Sequence, residues 1–118
     1  MILAAVDELF FKIRIVEAAK QVGARLATAS TAADVLARAR AERPALIILD
    51  LHSEPCAPIE VLQSLKADPE LKAIPTLGYF SHVRDEVGRR ALEAGCDQVL
   101  PRSAFSAKLP DLLRPYAD

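Results

Sequence analysis

The chain has 118 residues, 52% of them hydrophobic, with 15 basic and 16 acidic residues and a formal net charge of −1. This length predicts one domain, residues 1–118, and the hydrophobic fraction argues against disorder. The balanced charge gives no general attraction to nucleic acid or to anionic membranes, and no apolar run approaches the roughly 18 residues of a membrane span.

The N-terminal segment and the two cysteines bear on where the protein is located. No basic leader precedes the first apolar run, so no signal peptide is expected. Cys56 and Cys96 are far apart and show no metal-ligand spacing, which predicts two reduced cysteines in a cytoplasmic protein and leaves a disulfide or redox switch open.

Apolar runs typical of buried strands alternate with segments of helical periodicity along the whole chain. In chain order, the first half predicts a strand over 1–6, a helix over 9–22, a strand over 25–29, a helix from a cap at Ser30 or Thr31 to about residue 41, and a strand over 45–50. The second half predicts a loop over 52–58 with Pro55 and Pro58 as breakers, a helix over 59–66, a strand over 75–80, a helix over 84–94, a strand over 98–100, and a last helix from near Ser103 toward Tyr116, broken at Pro110.

This alternation predicts an α/β fold with a parallel sheet and helices on both of its faces. Asp7 and Asp50 each follow an apolar strand, and parallel strands end at the same edge of a sheet. The two carboxylates are therefore expected to form an acidic pocket suited to a hard cation such as Mg²⁺.

Four short motifs give the chain a resemblance to response-regulator receiver domains over essentially its whole length. They are Leu49-Asp50-Leu51, Leu65-Lys-Ala-Asp-Pro69, Ile74-Pro75 and Ala94-Gly95-Cys96-Asp97. The resemblance implies a flavodoxin-like (βα)5 three-layer sandwich with strand order 2-1-3-4-5. It also implies that Asp50 is the phosphate-accepting aspartate.

The resemblance further implies a Mg²⁺ site formed by Asp7, Asp50 and the backbone carbonyl of His52. Receivers usually supply two adjacent acids after the first strand, whereas this chain reads Val6-Asp7 there, so the metal site is expected to be weak. Glu8 is an alternative source of the second carboxylate, and Asp7 has the alternative role of a helix N-terminal acid.

Two further receiver positions are altered. The hydroxyl residue that usually ends the fourth strand is replaced by Phe80, and only a one-residue slip would put Ser81 in its place. Arg102 stands where receivers carry a lysine, and Ser103 replaces the following proline, with a helix cap as its alternative role. Phe80, Ser81 and Arg102 are therefore the candidate phosphate-contact or switch residues.

A partner-binding face is also implied by the resemblance. Receivers commonly use the fourth helix, fifth strand and fifth helix for dimers and effectors, and here that face contains Arg89, Gln98, Lys108 and Arg114. The predicted fourth helix is basic and includes Arg84. Its charge has an alternative interpretation as an ordinary solvated surface.

Three phenylalanines and two histidines are further candidates for core or binding roles. One of Phe10 and Phe11 is predicted to be core and the other an exposed anchor for a partner, while Phe105 is expected to pack inward. His52 and His82 lie on loops at the same sheet edge, so a transition-metal site is an alternative to two solvated histidines.

These observations favour a degenerate receiver without an effector domain, acting mainly through contacts with a histidine kinase or another signalling protein. The alternative is a working phosphorelay receiver that is phosphorylated on Asp50 with Mg²⁺. An aspartyl-phosphate phosphatase is disfavoured because His52 stands where a second acid would be needed, and a flavin carrier is disfavoured because Asp7-Glu8 would repel phosphate. No enzyme activity and no direct nucleic-acid contact are expected, and homodimerisation is left open.

Overall fold

The computed structural model describes residues 1–81 and 86–117, which form a parallel sheet flanked by helices. The elements are β1 Ile2–Ala5, α1 Leu9–Val22, β2 Leu26–Ala29, α2 Ala32–Glu42, β3 Leu46–Asp50, α3 Pro58–Ala67, β4 Thr76–Phe80, α4 Glu86–Glu93, β5 Gln98–Pro101, α5 Arg102–Leu113 and a 3-10 turn Arg114–Tyr116. The strand order is β2-β1-β3-β4-β5, and every neighbouring pair is parallel. The predicted fold and strand order are confirmed.

The side-chain alternation of the strands divides the core into two layers. Ile2 and Ala4 pack with α1 and α5, whereas Leu3 and Ala5, which point the other way, pack with α2, α3 and α4. Because both faces of the sheet are covered, its central strands are apolar throughout rather than alternating with polar residues. This burial is the physical reason that the strands are recognisable as continuous apolar runs.

Several helix ends follow the signals in the sequence. The Thr31 hydroxyl caps α2 by accepting a hydrogen bond from the amide of Asp34 at 3.2 Å. Gly23 ends α1 with a φ of 74°, and Gly95 follows α4 with a φ of 105°, conformations that favour glycine. The predicted start of the fourth helix at Arg84 lies outside the described residues.

Two expectations about prolines and one about a helix cap were wrong. Pro58 begins α3 instead of breaking the chain before it, because proline has no amide to satisfy and its fixed φ suits the first helical position. The last helix begins at Arg102 with Pro101 as its N-cap, so Ser103 lies inside the first turn and does not cap it. The same helix continues through Pro110, where the buried Leu109 and Leu113 hold it against the sheet.

Two of the motif segments meet at the edge of the sheet opposite Asp50. The carboxylate of Asp97 accepts hydrogen bonds from the amide and the hydroxyl of Thr76, at 2.9 and 3.0 Å. Lys66 approaches the same carboxylate at 3.7 Å. These contacts join the end of α3 to the start of β4 and the loop before β5, which gives both motifs a structural role.

Both cysteines lie in the core layer beneath α2, α3 and α4. Cys56 and Cys96 are buried and free, so the disulfide alternative is wrong for this structure. Burial raises the pKa of both thiols, which favours their protonated form over the reactive thiolate. In the described part of the chain, no helix combines the length and apolar character needed to cross a membrane.

Candidate phosphoryl-acceptor site

Asp50 is the last residue of β3 and lies half-buried at the carboxyl edge of the sheet. Its Oδ1 accepts a hydrogen bond from the backbone amide of His52 at 3.0 Å, which fixes the carboxylate against the loop that follows. Burial raises the pKa of Asp50, opposed by that hydrogen bond and by the His52 charge. The nearby carboxylates of Asp7 and Glu8 raise the pKa of Asp50 further.

The two acids after β1 have different surroundings. Glu8 is the N-cap of α1, and its Oε2 accepts a hydrogen bond from the amide of Phe11 at 2.9 Å. Asp7 is exposed and precedes the cap. Glu8, rather than Asp7, therefore occupies the helix-terminal role, and its carboxylate is engaged in that cap.

A metal ion at this edge would depend on few ligands. Within residues 1–81 and 86–117, no three His, Cys, Asp or Glu side chains are grouped so as to hold a metal ion. His52 belongs to the described residues, but His82 does not, so the histidine-pair alternative lies outside what the structure describes. The candidate metal ligands remain the carboxylates of Asp7 and Asp50 and the backbone carbonyl of His52.

Phe80 ends β4 and packs into the layer beneath α4. A Cβ placed on Gly88 would lie 3.3 Å from Cε1 of Phe80 and 3.2 Å from Cγ1 of Val99, so the Phe80 ring and Val99 fill the space under this helix. Phe80 pairs with Pro101 in the ladder between β4 and β5. Ser81 follows the strand and is half-buried.

Arg102 is the first residue of α5, and its guanidinium group lies over an aromatic ring of α1. Its Cζ is 5.1 Å from the centroid of the Phe11 ring. Arg14 approaches the same ring, with its Cζ 5.8 Å from the centroid. The cation predicted to contact a phosphoryl group therefore lies against the Phe11 ring and is exposed.

Phe11 belongs to a stack of three rings that links α1, β4 and α5. Its centroid lies 5.3 Å from that of Tyr79, which in turn lies 4.3 Å from that of Phe105. Phe11 is 6% exposed, whereas Phe10 is 62% exposed, which confirms that one of the two is core and the other exposed; the role of Phe10 as a partner anchor stays a prediction. Phe105 is fully buried, as predicted.

Tyr79 is the residue at this edge that the sequence analysis missed. It pairs with Asp50 across the β3–β4 ladder and is only 2% exposed, yet its hydroxyl oxygen has no hydrogen-bond partner within residues 1–81 and 86–117. Burial raises the pKa of Tyr79, and the charges of Asp50 and Glu8 raise it further. A signal was present in the sequence, since a tyrosine one residue before a strand end is a polar group in an otherwise apolar run.

The candidate partner face is exposed along α4, β5 and α5. Arg89, Gln98, Lys108 and Arg114 all lie at the surface, and Arg114 forms an ion pair with Asp111. The apolar member of this surface, Leu92 on α4, is 52% exposed.

Known proteins match this chain in structure but not in overall sequence. No protein-family model matches the sequence, and no curated protein matches it either. Among solved structures, the chain is similar to a chemotaxis response regulator of Vibrio cholerae, with a TM-score of 0.84, 19% identity, and coverage of 98% of this chain and 96% of that one.

Other solved structures agree with that likeness. A response regulator from Hahella chejuensis has a TM-score of 0.86 at 18% identity, covering 98% of this chain and 92% of its own. The Mn²⁺-bound form of the response regulator Rcp1 has a TM-score of 0.79 at 22% identity, covering 97% of this chain and 88% of its own. The chain therefore has the fold of response-regulator receiver domains.

Proposed function

We propose that residues 1–118 form a receiver-like signalling domain that acts mainly through protein contacts and in which phosphorylation of Asp50 is weak or absent. The receiver fold supports the signalling role. The observation that carries the finer proposal is the packing of Phe80, whose apolar ring lies beneath α4 at the position where the resemblance expects a hydroxyl donor. In this proposal the domain transmits a signal and catalyses no reaction.

The charges around Asp50 support weak phosphorylation. Transfer of a phosphoryl group to a carboxylate brings two anions together, so it requires nearby positive charge. The carboxylates of Asp7 and Glu8 instead add negative charge near Asp50, which raises its pKa. Arg102 has its guanidinium over the Phe11 ring.

Mg²⁺ would supply the missing positive charge if it bound. In this proposal Asp7, Asp50 and the His52 carbonyl are its ligands, and the site is weak because the Glu8 carboxylate is engaged in capping α1. The ion would neutralise charge on the incoming phosphoryl oxygens. Asp50 itself would provide the attacking oxygen.

Protein contacts are supported by an exposed apolar surface on α1. Leu9, Phe10 and Ile13 are 67%, 62% and 50% exposed, and their spacing puts them on neighbouring positions of one helix. We propose a histidine kinase or another signalling protein as the partner, and a second copy of the chain as an alternative. The free, buried cysteines fit a reducing compartment such as the cytoplasm.

The second candidate function is a working phosphorelay receiver, and one observation favours it. Asp50 keeps its place at the end of β3, and the His52 amide holds only Oδ1, so Oδ2 is free of hydrogen bonds to the described residues. An oriented carboxylate with one free oxygen is suited to attack phosphorus.

The two candidates differ in whether Asp50 accepts a phosphoryl group. The protein should be incubated with Mg²⁺ and acetyl phosphate and its intact mass measured, beside Asp50→Asn and an ordinary receiver. We expect no adduct at a donor concentration that labels the ordinary receiver. A gain of one phosphoryl mass that disappears in Asp50→Asn would instead establish the phosphorelay function.

A double variant that restores the receiver pattern tests the roles of Phe80 and Arg102. Phe80→Thr combined with Arg102→Lys returns the hydroxyl and lysine of the receiver pattern, with circular dichroism used to verify folding. We expect labelling to rise by roughly tenfold or more, since a positioned donor is worth that much to a developing charge. Equal labelling of this variant and the wild type would contradict the role assigned to Phe80 and Arg102.

A further inference from the structure

A groove with a volume of about 610 Å³ opens between α1, the carboxyl ends of β4 and β5, and the start of α5. Arg14 and Arg102 line it together with Ser81, Ser103 and Ser106. Asp50 is not among its lining residues. We call this feature the arginine groove; it lies beside the carboxylate site of the proposed function and shares Phe80, Ser81 and Arg102 with the candidate phosphate-contact residues.

The two arginines of the groove lie against the same aromatic ring. Both guanidinium groups approach the Phe11 ring, with Cζ-to-centroid distances of 5.8 Å for Arg14 and 5.1 Å for Arg102. Neither forms an ion pair with a carboxylate of the described residues, in contrast to Arg38, Arg40 and Arg43. Two exposed cations against one ring repel each other, so an anion seated over that ring would be stabilised by both.

The start of α5 adds hydrogen-bond donors to the same groove. Its N-cap is Pro101, which provides no side-chain hydrogen bond, and its first turn contains no acidic residue. The first amides of a helix have no partner within the helix and carry partial positive charge. The hydroxyls of Ser103 and Ser106 lie in the first two turns and can donate to the same anion.

The remaining walls of the groove are apolar. Phe80 and Pro101, paired across β4 and β5, line it beside Phe11. A volume of about 610 Å³ falls in the range of small-molecule sites. The groove therefore matches a ligand with a multiply charged head and a flat apolar part.

We propose that the arginine groove binds an organic phosphate, with the phosphate between Arg14 and Arg102 and an aromatic ring against Phe80 and Pro101. Phosphate suits two guanidinium groups better than a single-oxygen acceptor does, because its oxygens accept paired hydrogen bonds from the planar guanidinium donors. This binding requires neither Mg²⁺ nor phosphorylation of Asp50, so it stands or falls independently of the proposed function.

The test is a titration of the 118-residue chain with phenyl phosphate, inorganic phosphate and phenol, in EDTA and without Mg²⁺, followed by amide chemical shifts. We expect saturable shifts at the groove, with phenyl phosphate binding about tenfold more tightly than inorganic phosphate and phenol more weakly than either. No saturable shift with phenyl phosphate, or equal affinities for the two phosphates, would overturn the proposal.

Matched arginine variants locate the site. Arg14→Gln and Arg102→Gln are each expected to weaken phenyl phosphate binding about tenfold, since each removes one charged hydrogen-bonding partner. Arg40→Gln removes the same charge from α2 and is expected to change nothing. An equal loss of affinity in all three variants would show a nonspecific charge effect. A loss of affinity in Asp50→Asn would show that the anion binds at the carboxylate site. Either result refutes the proposal.

Discussion

Replacement of Tyr79 by phenylalanine removes one oxygen from the aromatic stack and leaves the stack in place. The ring lies 4.3 Å from Phe105 and 5.3 Å from Phe11, centroid to centroid, and phenylalanine retains both contacts. The deleted hydroxyl is buried and has no hydrogen-bond partner among the described residues. Its removal therefore costs no hydrogen bond.

The expected magnitude follows from the desolvation of that hydroxyl. A buried polar group without a partner destabilises the folded state by about 1–3 kcal/mol, so Tyr79→Phe should raise the free energy of unfolding by about 1 kcal/mol, the low end of that range. For 118 residues the entropy of unfolding is roughly 250 cal/mol/K. A gain of about 1 kcal/mol then raises Tm by about 4 °C.

The assay is urea unfolding followed by circular dichroism, with Tyr116→Phe as the matched control. Tyr116 is only half-buried, so loss of its hydroxyl should change the free energy of unfolding by less than about 0.5 kcal/mol. Destabilisation of Tyr79→Phe by about 1 kcal/mol or more would refute the reasoning, because it would show that the Tyr79 hydroxyl has a partner.

Alkaline pH provides an independent check on the same residue. Burial raises the pKa of Tyr79 in the folded state above its unfolded value of about 10. The unfolded state therefore loses the phenol proton first, so the free energy of unfolding of the wild type falls as the pH rises toward and beyond about 10. The stability advantage of Tyr79→Phe over the wild type should therefore grow between pH 9 and pH 11. An advantage that stays constant across this interval would contradict the burial of an ionisable phenol.

Two further predictions concern the acidic site and a tight loop. Burial raises the pKa of Asp50, so its ionised form is disfavoured in the folded state and Asp50→Asn should stabilise the protein at pH 7. This advantage should decline as the pH falls from 7 toward about 4, the pKa of an unfolded aspartate, and should be absent below it, as measured by urea unfolding; an advantage independent of pH would refute this. Gly95→Ala would place a Cβ 2.7 Å from Cγ of Lys66 at a φ of 105°, whereas Gly23→Ala meets open space at a φ of 74°. We expect thermal unfolding to show a loss of about 1 kcal/mol for Gly23→Ala and a larger loss for Gly95→Ala, and equal losses would contradict the contact with Lys66.

The strands, the helices and the position of Asp50 could be predicted from the sequence because they depend on local or periodic features. The central strands are buried on both faces, so they appear as unbroken apolar runs, and α1 has the predicted bounds Leu9–Val22. The place of Asp50 at the carboxyl edge follows directly from its position after such a run. Strand order required the additional information carried by the receiver motifs.

Side-chain placement at that edge was decided only by the tertiary structure. The sequence put Arg102 where a phosphoryl contact is expected, but the position of its guanidinium depends on Phe11, which lies on a distant helix. Phe80 packs beneath α4 because Gly88 leaves room for its ring. Neither contact joins neighbours in the chain, and for this reason no local pattern could reveal them.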